Sequence, residues 1–280
     1  MQGPAIHQAP PRSGGAQAWI WLIAGTGEGP PLTIRLLERG WRVRVSVVTS
    51  AASRAYSPHP LLTVCVGALG GADPTAAVRA KLRGAAERGQ PYRWVLDASH
   101  PFARRISAGV AHACRVERQP LLRLQRPLPE IPGARILRDL PDLAAEPLAG
   151  RRLLLAIGGR RLAEAITHCP TAVHHARLLP AAGALRQAMA AGIPAERVAC
   201  LRPPAEARAA AGIEAALCRR WGIEAVLCRR SGGPSEDHWR RICHDQGIQL
   251  LLLERPPEEP EVMALGLEAL LARVGDPPAT

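Results

Sequence analysis

Residues 19–29, WIWLIAGTGEG, decide the fold of this chain, because an uncharged apolar run ends there in a glycine-rich turn. Such a run is typical of a strand that is buried on both faces of a sheet. Gly25, Gly27 and Gly29 free the backbone to turn tightly and to approach a ligand closely. A helix predicted over residues 31–39 would point its unpaired N–H groups at this turn, so the stretch predicts an anion site made by backbone.

The glycine spacing departs from the dinucleotide fingerprint G-x-G-x-x-G, because the third glycine comes one residue early. By itself, the turn fits a plain strand-to-helix connection as well as it fits a cofactor site. The next apolar run, residues 43–49, ends where an acidic residue would bind the ribose of NAD. No Asp or Glu lies between Gly40 and Asp73, whereas Thr49 and neighbouring serines supply donors, so a 2'-phosphate is tolerated there.

The charge of the chain favours a small anionic ligand over nucleic acid. The formal net charge is +12, yet Lys81 is the only lysine among the 36 basic residues, so the charge reflects an arginine-rich composition. Phe102 is the only phenylalanine, and aromatic residues make up 3% of the chain, too few for a platform that stacks single strands. Guanidinium groups match the paired oxygens of carboxylates and phosphates, which makes an anionic small molecule the predicted ligand.

Cysteine usage and hydropathy exclude several other classes of protein. The seven cysteines are odd in number and form no C-x-x-C pair, which argues against a disulfide scaffold and a zinc site, so we predict no metal. No apolar stretch reaches the length of a membrane span, and the first 18 residues lack the apolar centre of a signal peptide. We therefore predict a cytoplasmic protein with a disordered tail over residues 1–18 and no membrane or nucleic-acid partner.

Further turns of the same kind follow other apolar runs. The loop at residues 97–102, DASHPF, follows a short apolar run, and ligands of open parallel sheets collect beyond the carboxyl ends of the strands. His100 is held extended by the proline after it, so its ring can donate to a carboxylate or carry a proton, although most loop histidines only bond to neighbours. The Ser-Gly-Gly turn at residues 231–233 again offers N–H groups to an anion.

The chain divides into two halves, and in each half a predicted strand is followed by a glycine turn and a helix. Residues 127–150 are rich in proline and lack periodicity, which indicates a linker region. We predict an N-terminal domain over 19–126 and a C-terminal domain over 151–280. The fold class is α/β, with two Rossmann-like domains that have open, mainly parallel sheets and a ligand cleft between them.

Three strings together resemble one family. The GTGEG turn, LDASHPFARRIS at 96–107 and LLRLQRP at 121–127 resemble the precorrin-6A reductase family of cobalamin biosynthesis. The resemblance implies an NADPH-dependent reductase that reduces one carbon–carbon double bond of the precorrin-6A or cobalt-precorrin-6A macrocycle to the dihydro form. It implies a tetrapyrrole substrate with many carboxylates, which agrees with the arginine excess. Whether the substrate contains cobalt stays open.

Site residues are assigned on this resemblance together with the turns. His100 is the predicted catalytic residue, and no obligate protein partner is predicted. Glu28 has two interpretations, as a cap of the helix or as a group facing the substrate, because its carboxylate would repel a pyrophosphate. The predicted cofactor ligands are Gly25, Thr26, Gly27, Glu28, Gly29, Thr49, Arg177, Ser231, Gly232 and Gly233. The predicted substrate ligands are Asp97, Ser99, Phe102 and Arg160.

Two other functions stay open at this point. One is another nucleotide-dependent α/β reductase that acts on a smaller anionic substrate. A short-chain reductase is disfavoured, because neither Tyr56 nor Tyr92 forms a Tyr-x-x-x-Lys pair with Lys81. The other is a basic module that binds nucleic acid or another polyanion, whose affinity would fall steeply with salt.

Overall fold

A computed structural model of the chain describes residues 18–25, 27–69, 71–128, 133–201 and 207–278. The predicted tail over residues 1–18 therefore lies outside the described residues except for Ala18. The first half contains β1 (Trp19–Ala24), α1 (Gly29–Glu38), β2 (Arg42–Val47), α2 (Ser50–Ser53), β3 (Leu62–Val66), α3 (Pro74–Glu87), β4 (Tyr92–Ala98), α4 (Arg104–Val116) and β5 (Leu121–Leu124).

The second half continues in the same alternation. Its elements are β6 (Arg135–Leu137), β7 (Arg152–Ala156), α5 (Leu162–His168), β8 (Val173–Leu178), α6 (Ala182–Ala190), β9 (Val198–Cys200), α7 (Ala207–Trp221), β10 (Ala225–Arg229), α8 (Pro234–Gln246), β11 (Gln249–Leu253), β12 (Met263–Leu265) and α9 (Leu267–Val274).

The described strands form two six-stranded sheets, and within each sheet all neighbouring strands pair in parallel. One sheet has the order β12-β5-β4-β1-β2-β3, and the other has the order β6-β11-β10-β7-β8-β9. Parallel pairing brings the carboxyl ends of neighbouring strands to one edge of each sheet, where ligands of such folds collect. The predicted α/β class with two Rossmann-like domains is confirmed.

Strand β1 lies at the centre of the first sheet, between β2 and β4. Ile20 and Leu22 belong to the core cluster on one face, and Trp21 and Ile23 belong to the cluster on the other face. All six residues of the strand are buried. The prediction that residues 19–24 form a strand buried on both faces is therefore confirmed.

The chain divides into two compact units, but the division does not follow the predicted domains. The first unit contains the described residues up to Pro127 and those from Pro256 onward, and the second unit contains residues between Leu128 and Arg255. Strand β12 pairs with β5 of the first sheet, and α9 packs in the core of that sheet. The predicted C-terminal domain over 151–280 was therefore too long, because its last segment returns to the first unit.

The predicted linker over 127–150 also needs correction. Within it lie β6, which pairs with β11 at the edge of the second sheet, and a 3-10 helix over Leu140–Ala145. Leu140 and Leu143 are buried. A three-residue strand and a single 3-10 helix are too short to show hydrophobic periodicity, so this segment has the sequence pattern of a linker although it is part of the unit.

Candidate functional site

The glycine turn connects β1 to α1 at the carboxyl edge of the first sheet. Helix α1 begins at Gly29, and two prolines follow in its first turn, where their missing N–H groups cost nothing. Its first turn holds no acidic residue, and the side chain of its N-cap residue, Glu28, makes no capping hydrogen bond. The Tyr56 hydroxyl donates to the Gly25 carbonyl at 2.6 Å. The helix end can therefore receive an anion, while Thr26 lies outside the described residues.

Glu28 does not stand alone beside this turn. Its carboxylate pairs with the Arg126 guanidinium, which follows the carboxyl end of β5, and Arg126 is largely buried. The same guanidinium lies beside Gly27, with Nη2 at 3.5 Å from the position that a Cβ would take there. Arg126 thus neutralises the charge that would otherwise repel a phosphate at this turn.

Asp97 supports the neighbouring loop rather than facing solvent. It is the penultimate residue of β4 and is only 2% exposed. Its Oδ2 accepts from Arg123 Nη1 at 2.7 Å, and its Oδ1 accepts from the Ser99 N–H at 2.9 Å. Arg123 also donates to the Ser99 hydroxyl at 3.0 Å and to Glu258 Oε2 at 3.1 Å. This burial is against the predicted role of Asp97 as a direct substrate ligand.

His100 and Phe102 lie on the loop that Asp97 supports. His100 is exposed, and its Nδ1 accepts from the Phe102 N–H at 3.2 Å, so in the neutral ring the proton is on Nε2. The two rings are 5.8 Å apart between centroids. His59, which also precedes a proline, accepts from the Leu61 N–H at 3.1 Å in the same way. The turn itself is therefore a property of the His-Pro sequence, and His59 provides a matched control.

The end of β2 carries the residues predicted to face the ribose. Thr49 is exposed, and its hydroxyl caps α2 by accepting from the Ala52 N–H at 3.2 Å. Arg54 ends this helix and is exposed. The segment therefore presents hydroxyl groups and one guanidinium next to the glycine turn, to which Tyr56 connects it.

Two loops meet at the carboxyl edge of the second sheet, after the adjacent strands β7 and β10. Gly158 has a φ of +81°, and the Arg229 guanidinium lies 3.3 Å from the position of a Cβ there. Burial, followed by the charges of Arg161 and Arg160, lowers the pKa of Arg229. Arg160 is exposed. The edge is therefore cationic, as an anion site requires.

The Ser231–Gly233 turn is already engaged by a carboxylate. Glu236, on the first turn of α8, accepts from the Gly232 N–H at 2.7 Å and is 2% exposed. Ser231 is also buried. The predicted role of Gly232 as a phosphate ligand conflicts with this bond. A glutamate three residues after the helix cap at Gly233 was a readable capping signal.

Arg177 is likewise used inside the second unit. It pairs with Glu214 of α7, whose other oxygen contacts His238 of α8. Burial alone would raise the pKa of Glu214, but the hydrogen bond from His238 and the charge of Arg177 outweigh it and lower this pKa. The geometry is therefore against the predicted role of Arg177 as a cofactor ligand.

The comparisons with known proteins identify the family. The model of the family described as precorrin-6x reductase CbiJ/CobK matches residues 19–274. The chain belongs to this family. It is 32% identical over 251 residues to the cobalt-precorrin-6A reductase of Synechocystis sp., covering 87% of this chain and 90% of that protein. It is 30% identical to the precorrin-6A reductase of Rhodococcus erythropolis, covering 86% and 90%.

A solved structure supports the fold of this reductase family member. The structure of CobK precorrin-6A reductase aligns with a TM-score of 0.67 and 23% identity, covering 92% of this chain and 96% of that one. The resemblance of the GTGEG, LDASHPFARRIS and LLRLQRP strings to the family is confirmed. In the described ranges, no helix is long and apolar enough to cross a membrane, and no three His, Cys, Asp or Glu side chains cluster as metal ligands.

Several residues of the site were missed by sequence reasoning. Tyr56, Arg123 and Arg126 each reach their partner across the sheet edge, so no local pattern marked them. Arg123 and Arg126 do lie within the LLRLQRP string, which was the one available signal.

Proposed function

We propose that this chain is an NADPH-dependent reductase that reduces a carbon–carbon double bond of precorrin-6A or cobalt-precorrin-6A to the dihydro form in cobalamin biosynthesis. The observation that carries the proposal is the family match over residues 19–274. The curated relatives are named for both the metal-free and the cobalt substrate. The experiment therefore compares the metal-free substrate with the cobalt substrate.

The geometry of the first unit supports a dinucleotide cofactor. The uncapped start of α1 offers N–H groups to a pyrophosphate, and Arg126 neutralises Glu28 beside it. The end of β2 offers Thr49 and Arg54 and holds no carboxylate, which suits the 2'-phosphate of NADPH. When bound, the cofactor supplies the hydride. The chain holds and orients it.

The substrate is a polycarboxylate, and exposed cationic and donor groups suit it. His100 is exposed, on a loop that buried Asp97 and Arg123 hold in place. We place His100 at the reacting edge, where Nε2 donates to the macrocycle or passes a proton to it. Ser99, Phe102 and Arg160 are partly or fully exposed, and we assign them to the substrate.

The test is NADPH oxidation, measured at 340 nm under anaerobic conditions with precorrin-6A and separately with cobalt-precorrin-6A. We expect oxidation that depends on the tetrapyrrole and is faster with NADPH than with NADH. His100→Ala should lower kcat by on the order of 100-fold, the usual size of a general acid–base contribution. His59→Ala, which removes a histidine from the same kind of turn, should leave kcat unchanged.

Two results would contradict the proposal. Absence of turnover with both tetrapyrroles, from a protein that melts cooperatively, would exclude the reductase function. Equal kcat values for His100→Ala and the wild type would exclude only the role of His100.

A further inference from the structure

Tyr56 reaches the glycine turn from a separate loop. It follows α2, is 7% exposed, and donates its hydroxyl to the Gly25 carbonyl at 2.6 Å across 31 positions of sequence. Burial raises the pKa of the Tyr56 hydroxyl, so it stays protonated and remains a donor at physiological pH. This bond fixes the carbonyl at which β1 enters the turn.

Gly29 leaves room for this hydroxyl because it has no side chain. A Cβ at Gly29 would overlap the Tyr56 oxygen and would lie 2.6 Å from the Cβ of Ala24. Gly25, in contrast, has nothing within 4 Å of its Cβ position. The glycine at the first residue of α1 is therefore required by Tyr56 and Ala24, whether or not a ligand approaches it.

Tyr56 also connects two parts of the site that come from different loops. The glycine turn would hold the pyrophosphate, and the segment over residues 49–54 would contact the ribose with Thr49 and Arg54. Arg54 lies two positions before Tyr56, so the bond to Gly25 sets the distance between the segment and the turn. A dinucleotide spans both parts and therefore depends on that distance.

We propose that Tyr56 is a positioning residue for the cofactor, which holds the Gly25–Gly29 turn and the 49–54 segment at the spacing a 2'-phosphorylated dinucleotide requires. This inference rests on the proposed function. The hydroxyl touches protein rather than ligand, so its loss acts through the turn. Its effect should fall on the affinity for NADPH and on the preference for NADPH over NADH.

The test is Tyr56→Phe, which keeps the ring and removes only the hydroxyl. By calorimetric titration, its Kd for NADPH should rise about fivefold, the size expected for one lost hydrogen bond. In turnover, the loss should fall on KM for NADPH rather than on kcat or on KM for the tetrapyrrole. The ratio of NADPH affinity to NADH affinity should decrease, which a general loss of stability would not cause.

Tyr92→Phe is the matched control. Tyr92 is also 7% exposed, but its hydroxyl accepts from Arg44 Nη1 at 2.7 Å, and it lies at the start of β4, at the opposite edge of the sheet. Its Kd for NADPH should equal that of the wild type. Urea unfolding of both variants then separates lost stability from lost affinity.

The outcomes distinguish the two proposals. Wild type that binds NADPH, with Tyr56→Phe binding it equally well, overturns the role of Tyr56 alone. A shift of the same size in Tyr92→Phe also overturns it, because the effect would then be general. Wild type that does not bind NADPH overturns the proposed function, and the role of Tyr56 with it.

Discussion

At the scale of single residues, buried polar contacts decide which of the predicted site residues can contact a cofactor or substrate. Three of them use their polar atoms internally, in contacts with side chains on other turns or elements. Two of the partners, Arg123 and Glu214, are far away in sequence, whereas Glu236 follows Gly232 closely and fits a capping pattern. These pairs are Asp97 with Arg123, Gly232 with Glu236, and Arg177 with Glu214.

Arg126 is the residue whose charge makes the glycine turn compatible with a phosphate. Arg126→Ala leaves the Glu28 carboxylate without its counterion beside the turn, so NADPH affinity should fall by about tenfold, as a lost charge-assisted contact implies. Adding Glu28→Gln should restore most of the affinity. Titration calorimetry on the wild type, both single variants and the double variant measures this coupling. A double variant as weak as Arg126→Ala would contradict charge neutralisation.

Glu214 links the stability of the second unit to pH. Its pKa is lowered in the folded state, so its contribution to stability is complete above the ordinary value near 4.5 and is lost as pH falls through the folded value. Arg177→Gln removes the cation that faces the buried carboxylate and should cost about 3 kcal/mol at pH 7. The difference from wild type should shrink as pH falls, and should be smallest below the lowered folded pKa, where Glu214 is protonated in both proteins.

Urea unfolding of both proteins at pH 7 and at a series of lower pH values measures the difference in stability and its change with pH. Arg35→Gln, which breaks an exposed pair with Glu268, is the control and should show no such dependence on pH. A difference between Arg177→Gln and wild type that stays equal over this pH series would show that Glu214 is not the titrating partner.

At the scale of elements, two helical glycines should respond to alanine with opposite signs. A Cβ at Gly109 of α4 would lie 2.6 Å from the Pro74 Cβ of α3 and 3.3 Å from the Thr75 nitrogen, which cannot move independently. Gly109→Ala should therefore destabilise by about 1–3 kcal/mol through overpacking. A Cβ at Gly84 of α3 meets only the flexible Arg88 guanidinium. Gly84→Ala should stabilise by up to about 1 kcal/mol through helix propensity.

Urea unfolding of both variants gives the two signs directly. Because Gly84 and Gly109 lie on the two helices of one packed pair, the comparison holds the rest of the unit constant. If alanine changed the stability with the same sign at both positions, the predicted difference in packing between Gly84 and Gly109 would be contradicted.

Element type itself followed context as well as sequence. The near-identical strings GIEAALCRR at 212–220 and GIEAVLCRR at 222–230 lie in α7 and around β10, respectively. The first string continues an alanine-rich helix, whereas the second precedes a glycine turn in the middle of the second sheet. The amphipathic pattern over residues 262–274 predicts one helix, but Met263–Leu265 pairs with β5 as a strand and α9 begins only at Leu267.

At the scale of the whole molecule, the C-terminal segment completes the first unit. Leu270, Leu271 and Val274 are buried in its core, and the Trp41 indole donates to the Gly275 carbonyl at 2.8 Å. A chain that stops at Arg255 loses this burial, which at about 2 kcal/mol for each side chain totals roughly 6 kcal/mol. That is comparable to the whole stability of a small domain.

The truncated chain should therefore unfold its first unit while the second unit stays folded. Limited proteolysis followed by mass spectrometry should show early cleavage between residues 19 and 127 and protection between 135 and 255. A chain that stops after Gly275, which keeps these contacts, is the control. Equal protection of the first unit in both truncated chains would contradict the prediction.

The α/β class, the central buried strand, the glycine turn and the family could all be predicted from the order of amino acids, because each is read from contiguous residues. The unit to which β6 and β12 belong, and the polar groups that bond to internal partners, became known only from the folded structure. The physical reason is that a strand of three residues has no readable period, and that a parallel pairing or a buried ion pair joins residues far apart in sequence. Tyr56 and Arg126 reach the turn for the same reason, through contacts that exist only once the sheet has formed.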